Sequence, residues 1–215
     1  MRIAIIGGHG QIALQLTGLL SERGQQVVGV IRNPDHAAEV EAAGGEPVVL
    51  DLEQRGAAEL AAALQGVDAV VFAAGAGPGS GIERKYTVDR DGSVRLAEAA
   101  EQAGIRRFLQ ISTMGAGKPA TGGDESWIAY IDAKTQAEND LRARDLDWTI
   151  LRPGRLLDDA PTGAVRLADT VPAGSVPRAD VAAVLSELLV TGAGAGRVLE
   201  LISGDSTVED SVKAL

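Results

Sequence analysis

Two groups of residues in this sequence have types and spacing that could do chemistry. Tyr130 and Lys134 stand four apart, a separation that brings two side chains onto one face of a helix. A cation beside a phenol favours the phenolate, which would make Tyr130 a proton donor or acceptor. The competing reading is a half-buried tyrosine next to a solvated lysine. The second group is Gly7, Gly8, His9, Gly10, Gln11, Ile12 and Ala13, which reads Gly-x-Gly-x-x-Ala from Gly8 and Gly-x-x-Gly-x-x-Ala from Gly7. Small residues here let the backbone turn sharply and approach a pyrophosphate, and a helix amino terminus offers N–H donors and a positive dipole end. A plain strand-to-helix turn could use the same residues, so the surrounding elements decide between the readings.

Those elements alternate. Short apolar runs predict strands over 3–6, 27–31, 48–50, 67–72, 108–111, 148–151 and 198–202. Between them, helical spacing runs from Ile12 to a stop at Arg23 and Gly24, then over 34–43, 57–64, 83–103, 127–144 and 181–190. Ser206 opens a short terminal helix, with Glu209 completing a capping box. Residues 113–124 are rich in glycine and read as a loop, and 153–177 read as irregular with a short strand at 165–167. This order predicts an α/β, Rossmann-type doubly wound parallel sheet in three layers, strand order 3-2-1-4-5-6 with a seventh strand. The expectation is one dinucleotide-binding domain over 1–215, with a small irregular substrate-side region at about 153–177. In such a sheet the ligand lies where the winding reverses, here beyond the strands ending at Ile6 and Phe72.

The glycine-rich turn thus sits where a dinucleotide phosphate would. Past the second strand the chain reads Val30, Ile31, Arg32, Asn33, with no acid until Asp35. An acid there would favour the ribose hydroxyls of NAD(H), whereas the planar fork of Arg32 suits a 2′-phosphate. The expectation is NADP(H) preferred over NAD(H). A second glycine-rich stretch covers 75–81. Gly115, Gly117 and Lys118 superficially suggest a P-loop, but the earlier glycine is missing and Pro119 stands where Ser or Thr would hold magnesium.

Composition narrows the function classes. The 215 residues carry a net charge of −10, no cysteine and only 3% aromatics. The acidic balance argues against nucleic acid, and the scarcity of aromatics against a base-stacking platform. Without cysteine there is no disulfide, thiol catalysis or thiolate metal site. With only His9 and His36, no metal site is expected. The apolar start is broken at His9 and Gln11, so it reads as neither signal peptide nor membrane span, and a cytoplasmic protein is expected, without a membrane partner and with homo-oligomerisation open.

Taken in order, these motifs resemble the short-chain dehydrogenase/reductase superfamily, and more closely its small atypical members of the NAD(P)-dependent epimerase/dehydratase type. The resemblance rests on the Gly7-to-Ala13 turn, Asp51-Leu52, Phe72-Ala73-Ala74-Gly75, Val88-Asp89-Arg90-Asp91-Gly92, Ile111-Ser112-Thr113, Tyr130 with Lys134, and Leu151-Arg152-Pro153-Gly154. It implies that Asp51 and Leu52 meet the adenine, Ala73, Ala74 and Gly75 line the adenosine side, Lys134 holds the nicotinamide ribose, and Pro153 and Gly154 lie near the nicotinamide. Ile111 and Arg155 complete the expected cofactor wall. It further implies that Ser112 hydrogen-bonds a substrate oxygen and Tyr130 transfers the proton. Asp89 stands where the superfamily places the asparagine of a proton relay, and little beyond Pro153 could form the large substrate domain of sugar-nucleotide enzymes.

The resulting expectation is an NADPH-dependent oxidoreductase acting on a small carbonyl or quinone-like substrate. The alternatives are an NADP-binding redox sensor without turnover and an epimerase or dehydratase with tightly held cofactor. Among the remaining residues, Trp127 and Trp148 read as core or pocket wall, His36 as surface, and Arg106, Arg107, Asp158 and Asp159 as solvated charge. Arg152 or Arg155 could meet an anion, His9 a phosphate, and the stretches 113–124 and 154–177 could act as lids.

Overall fold

The computed structural model describes residues 1–77 and 79–215; Pro78, within the glycine-rich stretch 75–81, lies outside them. The elements run β1 (Arg2–Ile6), α1 (Gln11–Glu22), β2 (Gln26–Ile31), a 3₁₀ turn (Pro34–His36), α2 (Ala37–Ala42), β3 (Glu46–Val49), α3 (Ala57–Ala63) and β4 (Ala69–Phe72). They continue as α4 (Ile82–Arg84), a π-helical stretch (Lys85–Arg90), α5 (Asp91–Ala103), β5 (Arg107–Ile111), α6 (Glu125–Arg142) and β6 (Asp147–Pro153). The last third holds β7 (Arg155–Leu157), β8 (Ala164–Ala168), β9 (Ser175–Pro177), α7 (Arg178–Thr191), β10 (Arg197–Ser203), β11 (Ser206–Thr207) and α8 (Val208–Lys213).

The main sheet has the order β11-β8-β10-β6-β5-β4-β1-β2-β3. From β3 through β10 every pairing is parallel, which is the expected 3-2-1-4-5-6 winding with β10 as the seventh strand. Strand β8 joins antiparallel to β10, and β11 to β8. Alternation along the strands splits the core into two. Ile3, Ile5 and Val71 pack with Leu16, Leu20, Val181, Leu185 and Leu188 on the α1/α7 face. Ala4, Ile6, Val70 and Phe72 pack with Leu60, Leu64, Leu96 and Phe108 on the α3/α5 face.

Three expectations are corrected. Within 153–177 the short strand expected at 165–167 is present as β8, which extends the main sheet, but the rest is not all irregular: β7 and β9 form a two-stranded parallel sheet. The terminal helix starts two residues later than expected. Ser206 pairs with Val165 in β11, and the cap is Thr207, whose hydroxyl accepts from the Asp210 N–H at 3.1 Å. The predicted helix over 83–103 is interrupted by a π-helical stretch of six residues, a wider turn that commonly re-aims side chains at functional sites. Among the described residues, no helix is long and apolar enough to cross a membrane.

The turn after β1 is fixed by close backbone approach. Gly7 has φ +84°, and a Cβ on it would lie 2.7 Å from the Ala74 backbone. A Cβ on Gly8 would lie 2.7 Å from the Gly29 Cα in β2. The Gly7 and Gly8 N–H groups both donate to the Val30 carbonyl, at 3.1 and 2.9 Å. Gly8→Ala should therefore push β1 and β2 apart, lowering stability by about 1–3 kcal/mol in urea denaturation. Stability equal to the parent protein would contradict the backbone contact.

Candidate functional site

Beyond the carboxyl ends of β1 and β4 lies a cleft with two arms that share Gly10 and residues 73–76. The first arm, about 320 Å³, is lined by Arg32, Asn33, Asp51, Leu52, Glu53, Arg84 and Val88. The second, about 680 Å³, is lined by Gln11, Ile12, Ile111, Ser112, Tyr130 and Lys134, together with Lys85, Asp89, Trp127 and Arg178. Between them stands the amino terminus of α1. Its cap, Gly10, has no side-chain hydrogen bond, and the first turn carries no acid. Uncapped N–H groups beside a glycine cradle suit an anion, and the two arms extend to either side of it. The donor set and the shape fit a dinucleotide phosphate.

Most of the expected cofactor residues meet in this cleft: Gly7, His9, Gly10, Gln11, Ile12, Arg32, Asn33, Asp51, Leu52, Ala73, Ala74, Gly75, Ile111, Ser112 and Lys134. Gly8 does not line it, because its role is the contact with Gly29. Pro153, Gly154 and Arg155 do not line it either. Strand β6 runs on through Pro153, and Gly154 packs where a Cβ would run into the Gly174 carbonyl. Arg155 is exposed and starts β7. Leu156 and Arg178 reach the second arm instead, with Arg178 held by Asp158 at 2.6 Å. Asp158 is thus paired rather than merely solvated.

The reactive end is built around a buried ion pair. The Lys134 ammonium lies 3.1 Å from the Asp89 carboxylate, with side-chain exposures of 4% and 1%. It also donates to the Ile111 carbonyl at 3.2 Å, and Asp89 accepts from the Ala76 N–H at 3.0 Å. Burial opposes the charge on Lys134. The pull of Tyr130, Asp89 and Glu138 outweighs it and holds the lysine pKa above its ordinary value. Lys134 is therefore a cation at neutral pH. The other half of the pair, Asp89, joins the loop after β4 to α6 through these contacts.

A second lysine, missed in the sequence, shares the site. Lys85 is buried, and its ammonium donates to the Gly77 carbonyl at 2.7 Å. It lies 5.7 Å from the centre of the Tyr130 ring, and Lys134 lies 5.8 Å from it. The signal was there: Val88, Gly92, Ser93 and Leu96, apolar or small, recur at helical spacing from Lys85, and the structure buries all of them with Asp89 on one inward stripe. The other tyrosine, Tyr86, donates instead to Asp132 at 2.9 Å, and that bond holds its phenol pKa above the ordinary value.

Ser112 lines the second arm with Tyr130 and Lys134. Its hydroxyl donates to Glu138 Oε1 at 2.6 Å. Glu138 is 1% exposed and is held by the Arg152 guanidinium through both of its oxygens. A carboxylate so paired can only accept, so the Ser112 proton is committed to it. Toward the cleft Ser112 offers lone pairs; it can receive a hydrogen bond from a hydroxyl but has none to give to a carbonyl. Arg152, one of the two arginines that could have met an external anion, is occupied by Glu138. Arg107 is likewise not solvated charge. It brackets the Asp147, Leu188 and Ala193 carbonyls, and burial lowers its pKa.

At the first arm His36 is not a plain surface residue. It stacks on His9 with ring centres 3.5 Å apart, and both rings line the cavity. His9 also meets Glu39 at 3.0 Å. Asp51 Oδ1 accepts the Glu53 N–H at 2.9 Å, and Glu53 in turn meets Arg32 and Arg84. Trp127 forms part of the rim of the second arm, 5.7 Å from Tyr130 between ring centres and 44% exposed. The 113–124 stretch is pinned by the Gly117 N–H donating to Thr135 at 2.9 Å, and Asp124 caps α6 through the Trp127 N–H at 2.8 Å.

A family model described as NAD(P)H-binding matches residues 7–191. A Bacillus subtilis protein, YhfK, described as an uncharacterized sugar epimerase, is 34% identical over the full length of both chains. The solved structure of a Bacillus halodurans protein, provisionally assigned as an NAD-dependent epimerase/dehydratase, superposes with a TM-score of 0.93 at 32% identity, covering 100% of each chain. The oxidoreductase ylbE from Lactococcus lactis superposes with a TM-score of 0.89 at 28% identity, covering 100% of this chain and 96% of its own. With the glycine turn, the two-armed cleft and the Tyr130–Lys134 pair on this scaffold, the chain belongs to the NAD(P)H-binding family, of the atypical short-chain dehydrogenase/reductase type.

Proposed function

We propose that the protein is an NADPH-dependent oxidoreductase that reduces a small carbonyl or quinone-like substrate in the second arm of the cleft. The observation that carries this reading is that Tyr130, flanked by two buried lysines, opens into the same cavity as the amino terminus of α1. When bound, the nicotinamide supplies a hydride to the substrate carbon. Gly10, Gln11 and Ile12 would hold the pyrophosphate, and Arg32 the 2′-phosphate. Lys134, fixed by Asp89, would meet the nicotinamide ribose.

The protein's own task is then the proton. The Tyr130 hydroxyl gives its proton to the substrate oxygen as that oxygen gains negative charge. Lys134 and Lys85 stabilise the phenolate that is left, and solvent returns the proton. Ser112, its own proton held by Glu138, accepts a hydrogen bond from the newly formed hydroxyl or from Tyr130. Glu138 and Arg152 serve as positioning residues for Ser112.

The reading is tested by titrating the protein with NADPH and NADH, then following NADPH oxidation with aldehydes, ketones, quinones and flavins. Expected are tighter binding of NADPH and turnover with at least one class. Binding of neither nucleotide would overturn the cofactor reading, and tight NADPH binding with no oxidation would favour a sensor. On an accepted substrate, Tyr130→Phe should reduce turnover about 10²–10⁴-fold and leave NADPH affinity nearly intact; unchanged turnover would remove Tyr130 from the mechanism.

The ion pair makes a prediction independent of substrate. Lys134→Met leaves Asp89 charged and unpaired in the interior, and should cost about 3–5 kcal/mol of stability. Adding Asp89→Asn should recover most of it. If the double variant is no more stable than Lys134→Met in urea denaturation, the two residues are not energetically coupled.

A further inference from the structure

The first arm of the cleft holds a cluster that neither the family match nor the glycine turn explains. Glu53 Oε2 receives two guanidinium groups, Arg84 Nη2 at 2.7 Å and Arg32 Nη1 at 3.2 Å. Its other oxygen receives the Thr87 hydroxyl at 2.7 Å. The three charged residues come from separate places: the end of β2, the turn after β3, and α4. All three line the cavity beside Asn33 and Leu52. Their side-chain exposures, 57% for Arg32, 34% for Arg84 and 25% for Glu53, leave the group open to solvent on one side.

Two arginines converging on one oxygen are the arrangement by which proteins hold a phosphate oxygen. Here the oxygen belongs to the protein. The Arg84 hydrogen bond, reinforced by Thr87, holds the Glu53 carboxyl below the usual carboxylate range despite partial burial. The Glu53 backbone is set by its N–H bond to Asp51, and the preceding Leu52 carbonyl accepts from Arg95 at 3.0 Å. The turn is therefore firm, while the side chain has a solvent side to swing into.

We propose that Glu53 is an internal stand-in for the 2′-phosphate of the cofactor, that Arg84 is a second ligand of that phosphate beside Arg32, and that Glu53 sets how strongly the protein distinguishes the phosphorylated nucleotide from the unphosphorylated one. This rests on the dinucleotide reading. A phosphate entering the cluster meets the Glu53 charge and must displace it from both guanidinium groups. A nucleotide with a free ribose 2′-hydroxyl brings no like charge and leaves the cluster standing. Glu53 thus weakens phosphate binding selectively, and Arg84 strengthens it selectively.

The experiment is isothermal titration of the parent protein, Glu53→Gln and Arg84→Gln with NADPH, NADH, adenosine 2′,5′-bisphosphate and 5′-AMP at low salt. Glu53→Gln keeps the side-chain shape and removes the charge. It should bind NADPH and the bisphosphate about tenfold more tightly, the order expected when one like charge is removed from beside a dianion. NADH and 5′-AMP should change by less than about threefold. Arg84→Gln should weaken the two phosphorylated ligands about tenfold and leave NADH and 5′-AMP in place, which also shows that the variant is folded. If NADPH and NADH both bind the parent protein but the two substitutions do not separate phosphorylated from unphosphorylated ligands, the inference falls and the dinucleotide reading stands. If the parent protein binds none of the four, both fall together.

Discussion

An ammonium group with almost no exposure has to be matched where it lies, and the site is organised around that requirement. Lys134 meets Asp89 at 3.1 Å. Removing either charge would leave the other stranded in a medium that solvates it poorly. The pair ties three things together. It holds α6 against the π-helical stretch, it fixes the loop after β4 through the Asp89 bond to the Ala76 N–H, and it sets the Lys134 ammonium against the carboxyl end of β5 through the Ile111 carbonyl. The floor shared by the two arms of the cleft, residues 73–76, is thereby held at Ala76 by the ion-paired Asp89 and at Ala73 by its N–H bond to the Ile6 carbonyl.

A second buried network runs parallel to it. Ser112, Glu138 and Arg152 connect the end of β5, α6 and β6. Glu138 follows Lys134 by one helical turn, so one face of α6 carries Tyr130, Lys134 and Glu138 in succession. The first faces the cleft, the second faces Asp89 and the third faces Arg152. The anion and cation of each buried pair come from different elements, so docking of α6 is specified by charge as well as by the small residues Ala129, Ala133 and Ala137 on its buried side. The reading of Ser112 changes accordingly. The residue stands in the cleft, but Glu138 dictates which way its hydroxyl points.

What could be read from the sequence followed from local physics. The strand order came from alternation of apolar runs and helices, and the glycine turn from small residues between a strand and a helix, while the contacts of Gly7 with Ala74 and Gly8 with Gly29 came only with the fold. Tyr130 and Lys134 were visible because helical spacing alone brings them to one face. What escaped depended on distant contacts. Glu53 and Arg84 are 31 residues apart in sequence and on different elements, and nothing in either neighbourhood announces the other. Pro153, Gly154 and Arg155 were assigned to the cofactor wall, but β6 continues two residues beyond the expected end to Pro153, Gly154 packs against Gly174 and Arg155 opens β7. The strand β11 is two residues long at the sheet's antiparallel edge, and β7 and β9 are three residues each, too few for alternation to register, whereas β8 was legible as the short strand at 165–167.

The π-helical stretch bears on how this site can vary. It carries Lys85, Val88 and Asp89 on the same inward stripe that α5 continues through Gly92, Ser93 and Leu96. At its start the stretch meets the rim of the cleft, with Arg84 closing α4 and Lys85 opening the wide turn. On the far side it is aligned with the sheet, carrying Leu96 and Ala100 into the core. One rail thus serves two surfaces, the polar cleft at one end and the apolar interior at the other. A change within that stretch is therefore felt at both ends, because the Asp89 carboxylate that matches Lys134 lies inside it.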